Sequence, residues 1–281
     1  MIRFLAFCAA VATFAACNDW TEMETVDSKV EKPWEQDPAL WAEYTAALRA
    51  YKQSEHFIVY ARLHNSPEKA SSEQDFMRCL PDSLDIVTLT NADNFSKFDA
   101  EDMDVMREKG TKVLYQVDYA ARAEEFADMQ ALDAYLDRVV AAVAANGMDG
   151  YSFTTDPLAT DATARIVEKL AAAKSEGQLL VFEGNPLSLA AADRPKVDFI
   201  ALDTEKLENV QEVKLQVLNA TGYAGIAPEK LLLAYRSMPN VALSGIYTQI
   251  HAAPAGQEAE HQLQQFQRVL DAIHAAGFET G

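Results

Sequence analysis

The chain has 281 residues, of which 43 are acidic and 24 basic, and its formal net charge is −19. A chain this negative, with no compensating basic cluster, is not expected to bind nucleic acid or anionic lipid surfaces, because both are polyanions. Its length suits one eight-stranded β/α barrel, which typically takes about 250 residues.

The first 16 residues have the order of a signal peptide: Arg3 is followed by an apolar run too short to remain as a membrane span. Small residues directly before Cys17 resemble the lipobox of bacterial lipoproteins, in which that cysteine becomes the lipidated first residue of the mature protein. A plain secretory signal with an incidental cysteine is the alternative. Because Cys8 lies in the predicted signal and Cys17 is the predicted lipidation site, Cys79 is left alone and no internal disulfide is expected.

The acidic stretch after Cys17 resembles the tag of lipoproteins displayed on the outer surface of glycan-foraging bacteria. This resemblance implies a lipid-anchored protein of the outer membrane, exposed at the cell surface. We predict three regions: residues 1–16 as signal peptide, residues 17–36 as lipidated N-terminus and acidic tether, and residues 37–281 as the barrel domain.

Strand-like and helix-like segments alternate through the predicted barrel domain. A helix over 37–51 is expected to cross the closed bottom of the barrel, since Asp37 and Pro38 suit its first positions. The predicted strands are 57–63, 84–90, 112–118, 149–156, 179–183, 197–203 and 231–236. The predicted helices are 99–109, 129–145, 161–175, 208–220 and 258–276. This alternation indicates βαβ units and an α/β fold, a TIM (β/α)8-type barrel.

An eighth strand is not evident. Residues 244–249 have a strand-like sequence, but only about seven residues separate them from the seventh strand, whereas a parallel crossover needs a dozen or more. We interpret residues 237–256 as a long loop over the active face. Either the barrel is completed unconventionally, or the sequence is truncated.

The most specific stretch covers residues 147–157, Gly-Met-Asp-Gly-Tyr-Ser-Phe-Thr-Thr-Asp-Pro. Because side chains alternate along a strand, Ser152, Thr154 and Asp156 share one face. The stretch resembles the fourth barrel strand of glycoside hydrolase family 18, the chitinase and endo-β-N-acetylglucosaminidase family, which reads Asp-Gly-x-Asp-x-Asp-x-Glu. Asp149 and Gly150 match that pattern. An ordinary buried strand of an unrelated barrel is the alternative.

The resemblance also implies a degenerate catalytic strand. In the family the final Glu protonates the glycosidic oxygen, and the Asp two residues earlier orients the substrate's own N-acetyl group. Here Ser152 and Thr154 replace the two inner aspartates and carry no charge. Asp156 replaces Glu and is one methylene shorter. We therefore predict no catalytic residue, with Asp149, Ser152, Thr154 and Asp156 at the degenerate positions.

Polar and aromatic residues follow the predicted strands at their carboxyl ends, where β/α barrels place their ligands. Sugars need hydrogen-bonding groups together with aromatic faces. The predicted glycan-binding residues are Asp118, Tyr119, Asp156, Glu183, Asp203, Arg236 and Tyr247. No metal or other cofactor is predicted, because the five histidines show no paired ligand spacing and no Gly-rich phosphate loop is present.

These features lead to one functional hypothesis and two alternatives. We expect a surface lipoprotein whose family-18-like barrel binds N-acetylglucosamine-containing glycans, such as N-glycans, together with outer-membrane glycan-uptake components. The first alternative is a hydrolase that uses Asp156 as a weak acid or recruits Glu183 or Asp203. The second is a structural partner in an outer-membrane glycan-uptake complex that uses its acidic outer face.

Overall fold

The computed structural model describes residues 33–67, 75–204, 207, 210–235 and 243–249. The predicted signal peptide, Cys17, Arg236 and the predicted helix over 258–276 lie outside the described residues. The chain divides into two compact units, Met1–Glu43 and Tyr44–Gly281, and the second contains the barrel. In the described part of the first unit, the rings of Trp34 and Trp41 lie 5.8 Å apart.

Eight strands close a barrel in chain order. They are β1 (Val59–Leu63), β2 (Ile86–Leu89), β3 (Lys112–Asp118), β4 (Gly150–Thr154), β5 (Leu179–Glu183), β6 (Phe199–Leu202), β7 (Leu231–Tyr235) and β8 (Leu243–Gln249). Strands β1 to β7 pair in parallel with their sequence neighbours. The predicted TIM-type α/β barrel is therefore confirmed.

Helices connect most of these strands, close to the predicted bounds. They are α1 (Pro33–Gln36), α2 (Pro38–Gln53), α3 (Lys97–Lys109), α4 (Tyr119–Arg122), α5 (Met129–Asn146), α6 (Thr160–Ala173) and α7 (Val210–Leu218). None of the helices in the described ranges has both the length and the apolar character needed to cross a membrane. The second half of α2 lies at the amino ends of β2 and β3, as predicted. There, Lys52 Nζ donates to the Leu84 carbonyl (2.6 Å) and to Thr111 Oγ1 (2.8 Å).

Strand β8 runs antiparallel to both of its neighbours, β1 and β7. The expectation that no parallel eighth strand follows β7 is confirmed within the described residues. The interpretation of 237–256 as a loop is wrong for Leu243–Gln249. An antiparallel neighbour can be reached through a short connection, whereas a parallel one cannot. The barrel is thus completed unconventionally.

The barrel interior changes from apolar to polar along the strands. Its middle layer consists of buried Tyr60, Ile86, Leu114, Val181, Ala201 and Leu232. Two residues further along their strands, Thr88, Gln116 and Glu183 are also buried but polar. Tyr151 and Phe153 alternate with the inward residues of β4, and both are buried on its other face. The barrel interior at the carboxyl end is therefore suited to a polar ligand.

Three aspartates fasten neighbouring strands at the amino end. Each directly precedes an even-numbered strand, and its carboxylate accepts a backbone N–H of the preceding strand. The pairs are Asp85 with Val59 N (2.7 Å), Asp149 with Val113 N (3.0 Å) and Asp198 with Leu180 N (2.7 Å). Each carboxylate also contacts a basic side chain, namely His56 (2.9 Å), Lys112 (2.8 Å) and Lys174 (2.6 Å). These contacts satisfy N–H groups that would otherwise lack partners at the strand ends.

Gly150 is required by the close approach of β4 to β5. Its φ is +133°, and a Cβ atom there would lie 2.0 Å from the Leu179 carbonyl oxygen. Helix α5 ends just before, at Gly147, whose φ of +62° is the left-handed conformation that commonly stops a helix. Together these glycines set where β4 enters the sheet.

We expect Gly150→Ala to lower the free energy of unfolding by more than about 3 kcal/mol or to prevent folding, because a backbone clash and a strained φ coincide. The matched control is Gly177→Ala, where φ is +80° but a Cβ would meet no atom of the described residues within 4 Å. That variant should lose only about 1–2 kcal/mol. Urea unfolding of the chain from residue 30 onwards measures both. Equal losses would show that the contact with β5 does not matter.

Candidate functional site

A cleft of about 480 Å³ opens at the carboxyl ends of β4, β5 and β6. This volume lies within the range of small-molecule sites, about 300–1,000 Å³. Its polar lining residues include Arg62, Thr154, Thr155, Glu183, Asn185, Ser188, Asp203 and Gln216. The structure thus brings together three of the residues singled out by sequence: Thr154, Glu183 and Asp203.

Glu183 forms the floor of this cleft and is only 8% exposed. Its Oε1 accepts hydrogen bonds from Tyr60 Oη on β1 (2.9 Å) and from Gln116 Nε2 on β3 (3.0 Å). One carboxylate at the end of β5 therefore links three strands across the barrel interior. Sequence reasoning missed Tyr60 and Gln116.

The second oxygen of Glu183 has a different environment. Arg62 Nε lies 3.2 Å from Oε2, so the guanidinium compensates the negative charge. Within the described residues, however, no donor has the geometry of a hydrogen bond to this oxygen. Oε2 is thus a solvent-shielded acceptor whose negative charge the Arg62 guanidinium compensates. Sequence reasoning also missed Arg62. Two signals point to it: it is the basic residue of an otherwise apolar strand, and alternation along β1 places it on the same face as Tyr60.

The inner face of β4 carries hydroxyl groups that form hydrogen bonds to β2 and β3. Ser152 is fully buried, and its hydroxyl is hydrogen-bonded to Thr88 on β2. Thr154 Oγ1 donates to Asp118 Oδ1 at the end of β3 (2.6 Å). Asp118 Oδ1 also accepts from Ala121 N (3.2 Å), at the start of α4. Asp118 therefore caps the start of α4. Of Ser152, Thr88 and Thr154, only Thr154 lines the cleft.

Of the two aspartates at the ends of the predicted strand, Asp149 keeps its position and Asp156 does not. Asp149 is at the amino end of β4, where its carboxylate binds Val113 N and Lys112. The strand ends at Thr154 and not at residue 156, so Asp156 lies in the following loop, where its Oδ1 accepts from Leu158 N (2.9 Å). The chain leaves the sheet through a local turn at Asp156, and Pro157 has no N–H that could continue the strand.

The remaining predicted ligands are aromatic or basic. Tyr119 stacks on Phe126, with ring centroids 5.8 Å apart and planes 5° from parallel, and it does not line the cleft. Phe126 in turn packs on Tyr135, whose pKa is raised by burial. Tyr247 lies on β8 opposite Tyr60, but the described structure gives only its backbone position. Arg236 lies outside the described residues.

No group of three or more His, Cys, Asp or Glu side chains is placed to hold a metal ion in the part of the chain that the structure describes. The absence of a cofactor remains a prediction from the sequence. What the described cleft offers is two carboxylates, Glu183 and Asp203, one guanidinium, Arg62, and several neutral hydrogen-bonding groups.

Comparison with known proteins agrees with the resemblance found in the fourth strand. Residues 21–142 match the sequence model of "Glycoside hydrolase family 18, BT1044-like". That match covers β1 to β3 and ends before β4, so it is independent of the motif. No curated protein sequence matches the chain significantly.

Solved structures with the same barrel include three of this family type. The selenomethionine form of a BT1044 variant has a TM-score of 0.56 and 18% identity, covering 72% of this chain and 73% of that one. For the endo-β-N-acetylglucosaminidase of Cordyceps militaris the TM-score is 0.52, with 16% identity and coverage of 68% and 71%. For a family-18 chitinase of Pseudoalteromonas aurantia the TM-score is 0.50, with 15% identity and coverage of 66% and 83%. At these identities the likeness concerns the fold. The chain is therefore a family-18-like β/α barrel whose residues 21–142 are similar in sequence to the BT1044-like group of that family.

Proposed function

We propose that this protein binds a glycan in the cleft above β4, β5 and β6 and does not hydrolyse it efficiently. The observation that carries the proposal is the inner face of β4, where Ser152 and Thr154 present hydroxyls already bound to Thr88 and Asp118. These are the positions at which the family motif places its two inner aspartates. The charge that the family uses to stabilise its intermediate is therefore missing there.

We infer that Asp156 and Glu183 do not replace this missing charge. Stabilisation of developing charge usually contributes more to catalysis than any other single effect, and it depends on groups placed to within about an ångström. Asp156 lies beyond the end of β4, with Oδ1 bound to Leu158 N. Glu183 lies at the end of β5 and not of β4, where Tyr60, Gln116 and Arg62 hold its carboxylate in place.

The cleft suits a polyhydroxylated ligand. The exposed carboxylate of Asp203 accepts hydrogen bonds, while Asn185 and Gln216 both accept and donate them. The proposed ligand class, N-acetylglucosamine-containing glycans such as N-glycans, rests on the family and on neighbours described as an endo-β-N-acetylglucosaminidase and a chitinase. A weakly active hydrolase is the second candidate, favoured by the presence of both Glu183 and Asp203 in one cleft.

We further propose that the protein acts at the outer membrane, anchored through a lipid on Cys17, and passes its glycan to uptake components. The sequence around Cys17 and the acidic stretch after it support this placement. A passive anchor would leave the cleft free to collect glycan outside the cell.

The binding proposal predicts that removal of one cleft carboxylate weakens glycan affinity at least about fivefold. Loss of a hydrogen-bond partner costs about 1–3 kcal/mol, and about 1.4 kcal/mol corresponds to tenfold in affinity. Calorimetry with a glycan found on an array would compare wild type with Asp203→Asn and Glu183→Gln. Asp161→Asn, an exposed acid on α6 outside the cleft, is the charge-matched control. Unchanged binding in both cleft variants would move the site away from the barrel mouth and favour the structural-partner alternative.

The catalytic proposal predicts that wild type releases sugar from chitooligosaccharide or high-mannose N-glycan far below 1 s⁻¹, about the lower end of typical enzyme turnover. Thr154→Asp combined with Asp156→Glu should raise release above wild type, because it returns a carboxylate and a longer acid to the family positions. The isosteric pair Thr154→Asn with Asp156→Gln controls for shape without charge. Wild-type turnover near 1 s⁻¹ or above would rule out the proposal in favour of the hydrolase.

The anchoring proposal predicts that Cys17→Ala moves the protein from the membrane fraction to the soluble fraction, since the acyl chains that hold it are lost. Cys79→Ala, which removes the other cysteine beyond the predicted signal, should leave the distribution unchanged. Fractionation of cells producing each variant, with and without detergent, makes the comparison. A Cys17→Ala protein that stays with the membrane would place the anchor elsewhere.

A further inference from the structure

A second cavity, of about 310 Å³, lies at the amino end of the barrel, opposite the glycan cleft. Three partly buried apolar side chains line it, Ile58, Leu179 and Phe199, and all three pack against the middle layer of the barrel interior. A ligand with an apolar body would cover them. Nothing in the proposed glycan function uses this cavity.

The lining of this cavity is mostly basic, although the chain as a whole is acidic. The chain has 43 acidic and 24 basic residues. Yet the described residues that line the cavity include Arg49, Lys52 and Lys112, with Asp85 as the acidic member. Both oxygens of Asp85 are already engaged, one by Val59 N (2.7 Å) and the other by His56 Nε2 (2.9 Å).

Within the described residues, Arg49 and Lys52 form no ion pair with a carboxylate, whereas Lys112 does. Lys112 Nζ is paired with Asp149 (2.8 Å). Arg49 Nη1 donates to the Glu108 carbonyl. Because a guanidinium has about five N–H groups, about four remain for other acceptors. Both described hydrogen bonds of Lys52 Nζ go to neutral acceptors, the Leu84 carbonyl and Thr111 Oγ1.

The environment of Lys52 disfavours its positive charge. An ammonium has three N–H groups, so two acceptors leave one N–H for a ligand. The pKa of Lys52 is lowered to about 8, chiefly by burial and also by Lys109, although Asp85 and Asp82 oppose this change. An anion placed against Nζ would compensate the charge and gain a charge-assisted hydrogen bond.

We propose that the cavity at the amino end of the barrel binds a small organic carboxylate, with its oxygens at Lys52 and Arg49 and its apolar body against Ile58, Leu179 and Phe199. The apolar lining selects for an organic body, because an inorganic anion would leave that surface in water. The guanidinium fork selects for a planar carboxylate. The volume suits an acid of the size of benzoate or hexanoate.

The first test needs no variant. Calorimetry with benzoate and hexanoate, in two buffers of different ionisation enthalpy, should show binding with proton uptake near pH 8, because the bound anion raises the pKa of Lys52. Since the charged amine is lost as pH rises through that value, affinity should fall at least about fivefold from pH 7 to pH 9.5. The other groups facing Lys52 are Asp82, Asp85, Lys109, Lys112, Arg49 and His56.

Variants then assign the site. Lys52→Met should abolish binding and proton uptake together, and Ile58→Trp, which fills the cavity without changing charge, should block binding while leaving the barrel folded by circular dichroism. Lys174→Met is the control, since this lysine pairs with Asp198 at the same end of the barrel but does not line the cavity. Inorganic phosphate serves as the comparison anion. Absence of millimolar binding by either acid, phosphate binding as tight as theirs, or binding unaffected by Ile58→Trp would each overturn the proposal.

Discussion

The buried charge of Glu183 is the constraint on which the open end of this barrel depends. An isolated carboxylate in a protein interior costs several kcal/mol, so its partners must stay in place. Tyr60 and Gln116 donate to one oxygen and Arg62 lies against the other, which couples β1, β3 and β5 through a single side chain. The cleft above it consequently has a fixed polar floor, and one acceptor on that floor has no hydrogen-bond donor among the described residues.

The two ends of β4 have separate roles, and this separation explains how binding could persist without catalysis. At the amino end, Asp149 and Gly150 hold the strand against β3 and β5, and their requirements are structural. At the carboxyl end, Ser152 and Thr154 fill the inner positions with hydroxyls that form hydrogen bonds to Thr88 on β2 and Asp118 on β3. Substitutions at positions 152 and 154 change the charge of the inner face but leave the contacts of Asp149 and Gly150 in place. The barrel and its cleft can therefore form without the family's aspartates.

The regular part of the fold could be predicted from the sequence because apolar runs of strand length alternate with amphipathic helices. β3 and β5 have the predicted bounds, and β1 to β7 form the predicted parallel order. Two features escaped prediction for physical reasons. The antiparallel pairing of β8 depends on the gap between β1 and β7, which no local pattern encodes. The end of β4 depends on Pro157 and on a local turn at Asp156.

The site could be predicted only where it follows strand ends. Glu183 and Asp203 lie at such ends, and both line the cleft. The donors to Glu183 lie 123 and 67 positions away in the chain, at Tyr60 and Gln116, so only the closed barrel brings them together. Tyr119 also follows a strand end, but its ring is stacked on Phe126 and it does not line the cleft.

The most direct test of the central claim is a crystal structure of the protein grown with an N-acetylglucosamine-containing glycan. We expect an uncleaved glycan in the cleft above β4, β5 and β6, with a sugar hydroxyl within hydrogen-bond distance of the exposed Asp203 carboxylate. A cleaved product in that cleft, or an intact glycan bound only elsewhere on the molecule, would contradict the account.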